Sequence, residues 1–176
     1  MLLQKIKSDA ILSQFIAKKC EENNIEVILD KKITEDQYLI IKVDDYYKSL
    51  KIGDTPKTPD CLILQKCLES NLEYAITIVE LKRRRKSSDF NINEVIEKFK
   101  TCLNDFMKIK FKDYFNENYK RIDLYFITNK KTYGSNNIDT DLEMSLSMSE
   151  RLKFNGKYCS IKLCNNKQKI KPCYSK

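Results

Sequence analysis

The chain of 176 residues contains no histidine and no tryptophan, and only three glycines and three prolines. The missing histidines remove every mechanism that depends on an imidazole, including Ser-His-Asp and Cys-His arrangements and the zincin helix. The scarcity of glycine and proline argues against a loop-rich or low-complexity chain. Gly53 and Gly134 stand alone, so there is no glycine-rich loop to cradle a nucleotide phosphate. No apolar run reaches the ~18 residues that a membrane-spanning helix needs, so no span is expected. The opening "MLLQKIKSDAILSQF" is interrupted by Lys5, Lys7 and Asp9 and does not have the pattern of a signal peptide.

What is present is a soluble, globular composition, with 41% hydrophobic and 33% charged residues. A chain of this length is expected to form one domain and to bury roughly 70% of its unfolded surface. Lysine and arginine number 33 against 25 aspartates and glutamates, a net charge of +8. Such an excess attracts a polyanion over about a Debye length. The seven cysteines contain no CxxC pair, and only Cys159, Cys164 and Cys173 lie near one another, which does not make a zinc knuckle. Cys61 and Cys102 are expected to pack as small hydrophobes, with the other cysteines free thiols in a reducing cytoplasm.

Apolar residues at helical intervals from Leu2 to Ile16 predict an amphipathic helix over 2–22, ended by Asn23 and Asn24. "IEVILD" (Ile25–Asp30) and "YLIIKV" (Tyr38–Val43) read as a β-hairpin, although the polar segment between them could hold a loop of its own. After a connector with Gly53, Pro56 and Pro59 come a short strand "CLILQ", a turn, and a longer strand over Tyr74–Leu81. That strand is apolar on both faces and is expected in mid-sheet with helices on each side. "NINEVIEKFKTCLNDFMKIK" carries the strongest helical pattern, and "RIDLYFIT" (Arg121–Thr128) is again a strand. Strand, helix and strand in that order predict a right-handed parallel crossover. A helix from about Asp139 and a final strand "KYCSIKLC" complete the expected order.

The buried strand ends in "ELKRRRK". Side chains alternate along a strand, so Glu80 and Lys82 project from one side. They lie at the carboxyl end, where open sheets place ligands. Asp60 precedes the neighbouring strand; if the two strands form a hairpin through 66–73, Asp60 comes to the level of Glu80 or within one residue of it. Two carboxylates with spare oxygens suit Mg²⁺, and a lysine beside them can hold an attacking water and offset charge on phosphate oxygens. That is the chemistry of metal-assisted phosphodiester hydrolysis. Arg83, Arg84, Arg85 and Lys86 follow directly and would face a substrate that is itself a polyanion. The tyrosines at 46, 47, 114, 119 and 125 are read as core or rim rather than base-stacking platforms.

Pro59-Asp60 followed by Glu80-Leu81-Lys82 at the end of a hydrophobic strand resembles the PD-(D/E)XK nuclease superfamily, which includes many type II restriction endonucleases and Holliday junction resolvases. The resemblance covers about 1–128. It implies a restriction endonuclease-like α/β core, αβββαβ in order, with a mixed central sheet flanked by helices; residues 129–176 add a C-terminal helix and strand within a single domain 1–176. It implies that Asp60 and Glu80 ligate Mg²⁺ (with Mn²⁺ as a substitute), that the backbone carbonyl of Leu81 is a further ligand, and that Lys82 is the catalytic lysine. Some members add a glutamate from the first helix, a place open here to Glu21 or Glu22. The implied activity is a DNA endonuclease leaving 5′-phosphate and 3′-hydroxyl ends. Restriction type and a homodimer are expected, since two-strand cleavage needs two sites. A second subunit or a companion methyltransferase stays open. So do two alternatives: a structure-selective, Holliday junction resolvase-like nuclease, and a non-catalytic nucleic-acid-binding module.

Overall fold

The computed structural model describes residues 1–69, 72–83, 91–129, 145–146, 148–149 and 151–174. In chain order, helix α1 (Leu2–Lys7) and a 3₁₀ turn (Leu12–Phe15) precede strands β1 (Ile16–Ala17), β2 (Glu21–Glu22), β3 (Ile25–Leu29) and β4 (Tyr38–Lys42). Helix α2 (Val43–Ser49), β5 (Cys61–Lys66) and β6 (Tyr74–Lys82) follow. Helix α3 (Ile92–Thr101) continues in wider, π-type turns over Cys102–Lys110, then come α4 (Lys112–Phe115) and β7 (Arg121–Thr128). The tail supplies β8 (Leu152–Phe154), β9 (Lys157–Cys159), β10 (Ile161–Asn165) and β11 (Lys167–Ile170).

Strand β6 organises this mixed α/β domain because eight of its nine residues are buried, which only a central strand covered on both faces can satisfy. It lies within a six-stranded sheet of order β1-β4-β5-β6-β7-β10. β5 runs antiparallel to both β4 and β6, whereas β7 and β10 are parallel to β6. The β6-to-β7 crossover runs through α3, whose cap is chemical: the Asn91 side chain accepts from the backbone N–H of Asn93 and Glu94. From β6, Tyr74, Ile76 and Ile78 join Leu62, Leu64, Leu124 and Phe126 in the main core, against Val95, Phe99, Cys102, Leu103 and Phe106 of the crossover helix.

The other face differs from expectation. Val79 and Leu81 of β6 pack with Ile40, Ile63 and Ile127 against Ile25 and Ile170, which belong to a three-stranded sheet of order β11-β3-β2. The main sheet thus has helices on one face and a small sheet on the other. Either cover removes the same apolar area from water, so the alternation within β6 does not distinguish them.

The predicted helix over 2–22 stops at Lys7. Asp9 stops it: its Oδ1 accepts from the backbone N–H of Ile11 at 2.9 Å and of Leu12 at 2.7 Å, a local bond that competes with continued helix. Ile16 and Ala17 then pair with Ile41 and Ile40. Asp9 Oδ2 also accepts from the Tyr114 hydroxyl at 2.6 Å. Asp9→Ala is therefore expected to destabilise the protein by about 1–2 kcal/mol, read from its urea midpoint at unchanged slope.

The predicted hairpin of Ile25–Asp30 with Tyr38–Val43 is also corrected. β3 pairs in parallel with β11, and β4 pairs with β5 and β1. Residues between them form their own turn, in which Asp30 Oδ1 accepts from Lys32 N–H and Gln37 Oε1 from Thr34 N–H. "VDDYYKS" in the presumed connector is helix α2, which buries Tyr46 and Tyr47 in the main core. The expected final strand is broken at Ser160 into β9 and β10. Most of the helix expected from Asp139 lies outside the described residues.

Four of the seven cysteines are not thiols. Cys20 is bonded to Cys61 and Cys67 to Cys173, while Cys102, Cys159 and Cys164 are free. Cys102 alone of the two singled-out residues packs as a free, buried hydrophobe. No described helix is long and apolar enough to cross a membrane.

Candidate metal and nucleic-acid site

β5 and β6 are the two arms of a hairpin whose register sets Cys61 opposite Val79 and Leu62 opposite Ile78. One residue before β5, Asp60 therefore stands at the level of Glu80. Its backbone carbonyl accepts from Val43 N–H at the start of α2 at 3.1 Å. Its Oδ2 accepts from the backbone N–H of Leu81 at 2.7 Å. The carboxylate is thus clipped to the end of β6.

Glu80 is only 2% exposed. Its Oε1 accepts from Lys98 Nζ, on α3, at 2.7 Å, and its Oε2 is buried without a protein partner. Burial and the charge of Asp60 push the Glu80 carboxyl up to about 8, against the opposing pull of the Lys98 ammonium. Burial also raises Asp60, with the Leu81 N–H opposing and the Glu22 charge adding to the rise. Two carboxyls held above their ordinary range, one with an unused oxygen, are under-compensated by the cations around them.

Lys82 shares the face of Glu80, two residues on, and is partly exposed. With Glu22, Asn23, Leu81 and the exposed Arg83 it lines a cleft of about 230 Å³. Between the two glutamates open to this site, the charge of Glu22 reaches Asp60. Glu21 forms an ion pair with Lys19 at 3.6 Å. Glu22 arrives on a strand and not on the first helix. Asn23 and Asn24, at φ 49° and 67°, make the two-residue turn of the β2–β3 hairpin that presents it. Arg84, Arg85 and Lys86 lie outside the described residues.

Among the described residues no group of three or more cysteines, aspartates or glutamates sits close enough together to hold a metal ion. At the end of β6 stand instead two level carboxyls, Asp60 and Glu80. That set fits Mg²⁺, which takes one or two carboxylates and keeps several waters. The orphaned Glu80 Oε2 is the atom such an ion would satisfy.

Lys98 is the partner of Glu80 that the sequence pattern conceals. It lies on the strongest amphipathic helix three residues after Val95 and four before Cys102, both buried. A lysine phased with the apolar stripe is the signal that could have found it. Tyr46, Tyr47 and Tyr119 are buried in the core. Comparison with protein-family models finds no match, and neither does comparison with curated proteins or with solved structures.

Proposed function

We propose that this chain is a Mg²⁺-dependent deoxyribonuclease of the PD-(D/E)XK kind, acting as a homodimer on DNA in the cytoplasm. The observation that carries the reading is the buried Glu80, with one oxygen on Lys98 and the other unpartnered, level with Asp60 on the neighbouring strand and two residues before Lys82. The order of α1, the antiparallel β4, β5 and β6, then α3 and the parallel β7 supports it as well.

When bound, the divalent cation supplies an activated water and a counter-charge for the phosphate. Asp60 and Glu80 would hold it with the Leu81 carbonyl, in the place where the two carboxyls now lack compensation. Lys98 holds one oxygen of Glu80 and leaves the second free of a protein partner, available to the ion. Lys82 is placed to orient the water and to offset charge growing on the phosphate oxygens. Arg83 offers a phosphate contact at the cleft rim, which positions the duplex without reading its sequence.

Incubation of the purified protein with plasmid DNA and with a synthetic four-way junction, each with and without Mg²⁺, tests this. Cleavage only with metal is expected, with fixed bands on plasmid for a restriction enzyme and preferential junction cutting for a resolvase. Intact substrates in both Mg²⁺ and Mn²⁺ would end the proposal. Arg83→Ala is expected to weaken DNA binding several-fold at every sequence and to lower the salt slope by about 1, as measured by fluorescence anisotropy across a salt series.

A further inference from the structure

Two pieces of chain meet at the candidate site, and a covalent bond joins them. Cys61 follows Asp60 directly, and Cys20 lies two residues before Glu22; the two sulfurs are bonded. Both cysteines are fully buried, within the cluster that joins the small sheet to the main one. Besides this bond, the segment bearing Glu22 is held by β3, where the Cys20 carbonyl accepts from Val27 N–H at 2.9 Å. β2 is two exposed residues long and pairs only with β3, through Glu21 opposite Glu26 and Glu22 opposite Ile25.

We propose that the Cys20–Cys61 disulfide is a redox-sensitive clamp that ties the Glu22 turn to the strand next to Asp60, so that its reduction loosens the metal site at Asp60 while the rest of the fold stands. The inference rests on the hydrolase reading, whose site it regulates. The reductant is a dithiol. One of its thiolates attacks one sulfur of the bond to give a mixed disulfide, and the other displaces it. Two electrons and two protons pass to Cys20 and Cys61, and the reductant leaves as a closed disulfide. Because both sulfurs are buried, attack requires β2 to lift from the sheet, so the segment that responds to reduction is also the one that admits the reductant. The second disulfide, Cys67–Cys173, lies at the opposite end of β5 and serves as the internal control.

The test uses the full chain with Mn²⁺ as the probe, in oxidised form and after dithiothreitol, with bond state verified by alkylation and mass spectrometry. Wild type is compared with C67S/C173S and C20S/C61S by calorimetric Mn²⁺ titration and by deuterium uptake over residues 18–24. Oxidised wild type and C67S/C173S are expected to bind Mn²⁺ alike, and dithiothreitol to weaken both by about tenfold or more, the range typical of lost support around a metal site. C20S/C61S should bind weakly in either state. Should that variant fail to fold, reduction of C67S/C173S, with circular dichroism confirming the fold, carries the same test. Equal Mn²⁺ affinity before and after loss of the Cys20–Cys61 bond overturns the clamp. Absence of Mn²⁺ binding in oxidised wild type overturns the hydrolase reading instead. In that case deuterium uptake decides the clamp alone: faster exchange over 18–24 on reduction supports it, and unchanged exchange removes it.

Discussion

Glu80→Gln is expected to abolish metal-dependent cleavage, by about 10³-fold or more, and at the same time to make the metal-free protein more stable at alkaline pH. Both effects come from one buried carboxyl. In the folded state it holds its proton up to about pH 8, whereas in the unfolded chain it releases it near its ordinary value of about 4.3. Between those two values the folded form binds more protons than the unfolded one, so stability falls as pH rises, and the full cost is present above about pH 8. One group with that displacement costs on the order of 5 kcal/mol. Asp60 is raised as well and adds in the same direction. Glutamine keeps the shape and removes the titration. Urea midpoints measured without metal from pH 5 to pH 9 should therefore slope down in wild type and flatten in the variant. Mg²⁺ at pH 8 should restore wild type and leave Glu80→Gln unmoved. Parallel slopes in the two proteins would show that Glu80 is not the titrating group.

The second large effect separates two lysines. Lys82→Ala is expected to lower cleavage by about 10²–10⁴-fold, as loss of a positioned acid–base or electrostatic group does, with stability changed by less than about 0.5 kcal/mol. Lys98→Met should lower stability as well as cleavage at pH 8. Its ammonium is the partner of Glu80 at 2.7 Å and is only 21% exposed on its side chain. Breaking a buried pair at one end costs about 3–5 kcal/mol, limited here by protonation of the orphaned glutamate. The loss should shrink at pH 5, where Glu80 is neutral in both proteins. Thermal melts at the two pH values, beside initial cleavage rates, make the comparison. If Lys98→Met melts like wild type at pH 8, the ion pair does not exist in solution.

How far the sequence revealed this arrangement depended on whether the signal was local. β6 and its exit at Glu80 are legible because a strand buried on both faces has an uninterrupted apolar run with an abrupt end. The crossover helix is legible because Val95, Phe99, Cys102, Leu103 and Phe106 repeat at helical spacing over several turns. The opposition of Asp60 to Glu80 follows from a short hairpin between the strands that bear them. The first helix fails because the apolar residues at 11, 15 and 16 fit the period without being helical, and a single side-chain acceptor at Asp9 decides the matter. The hairpin of 25–30 with 38–43 fails because β-branched strands look alike whichever sheet they join, and the true partner of Ile25–Leu29 lies at 167–170. Asn23-Asn24, taken as a helix stop, is the two-residue turn signal of a hairpin, and reading it so would have placed Glu22 on a strand. Lys98 was hidden by distance: nothing near it in the chain announces a carboxylate 18 residues upstream.

The pairing of Ile25–Leu29 with Lys167–Ile170 has a further consequence for how the molecule comes into being. A growing polypeptide can close the antiparallel hairpin of β5 and β6 early, but the small sheet that covers the central one is complete only once Lys167–Ile170 have been made. During that interval Val79 and Leu81 lack Ile170, one of the apolar side chains of their cluster. Synthesis at about 5–20 residues per second sets its length.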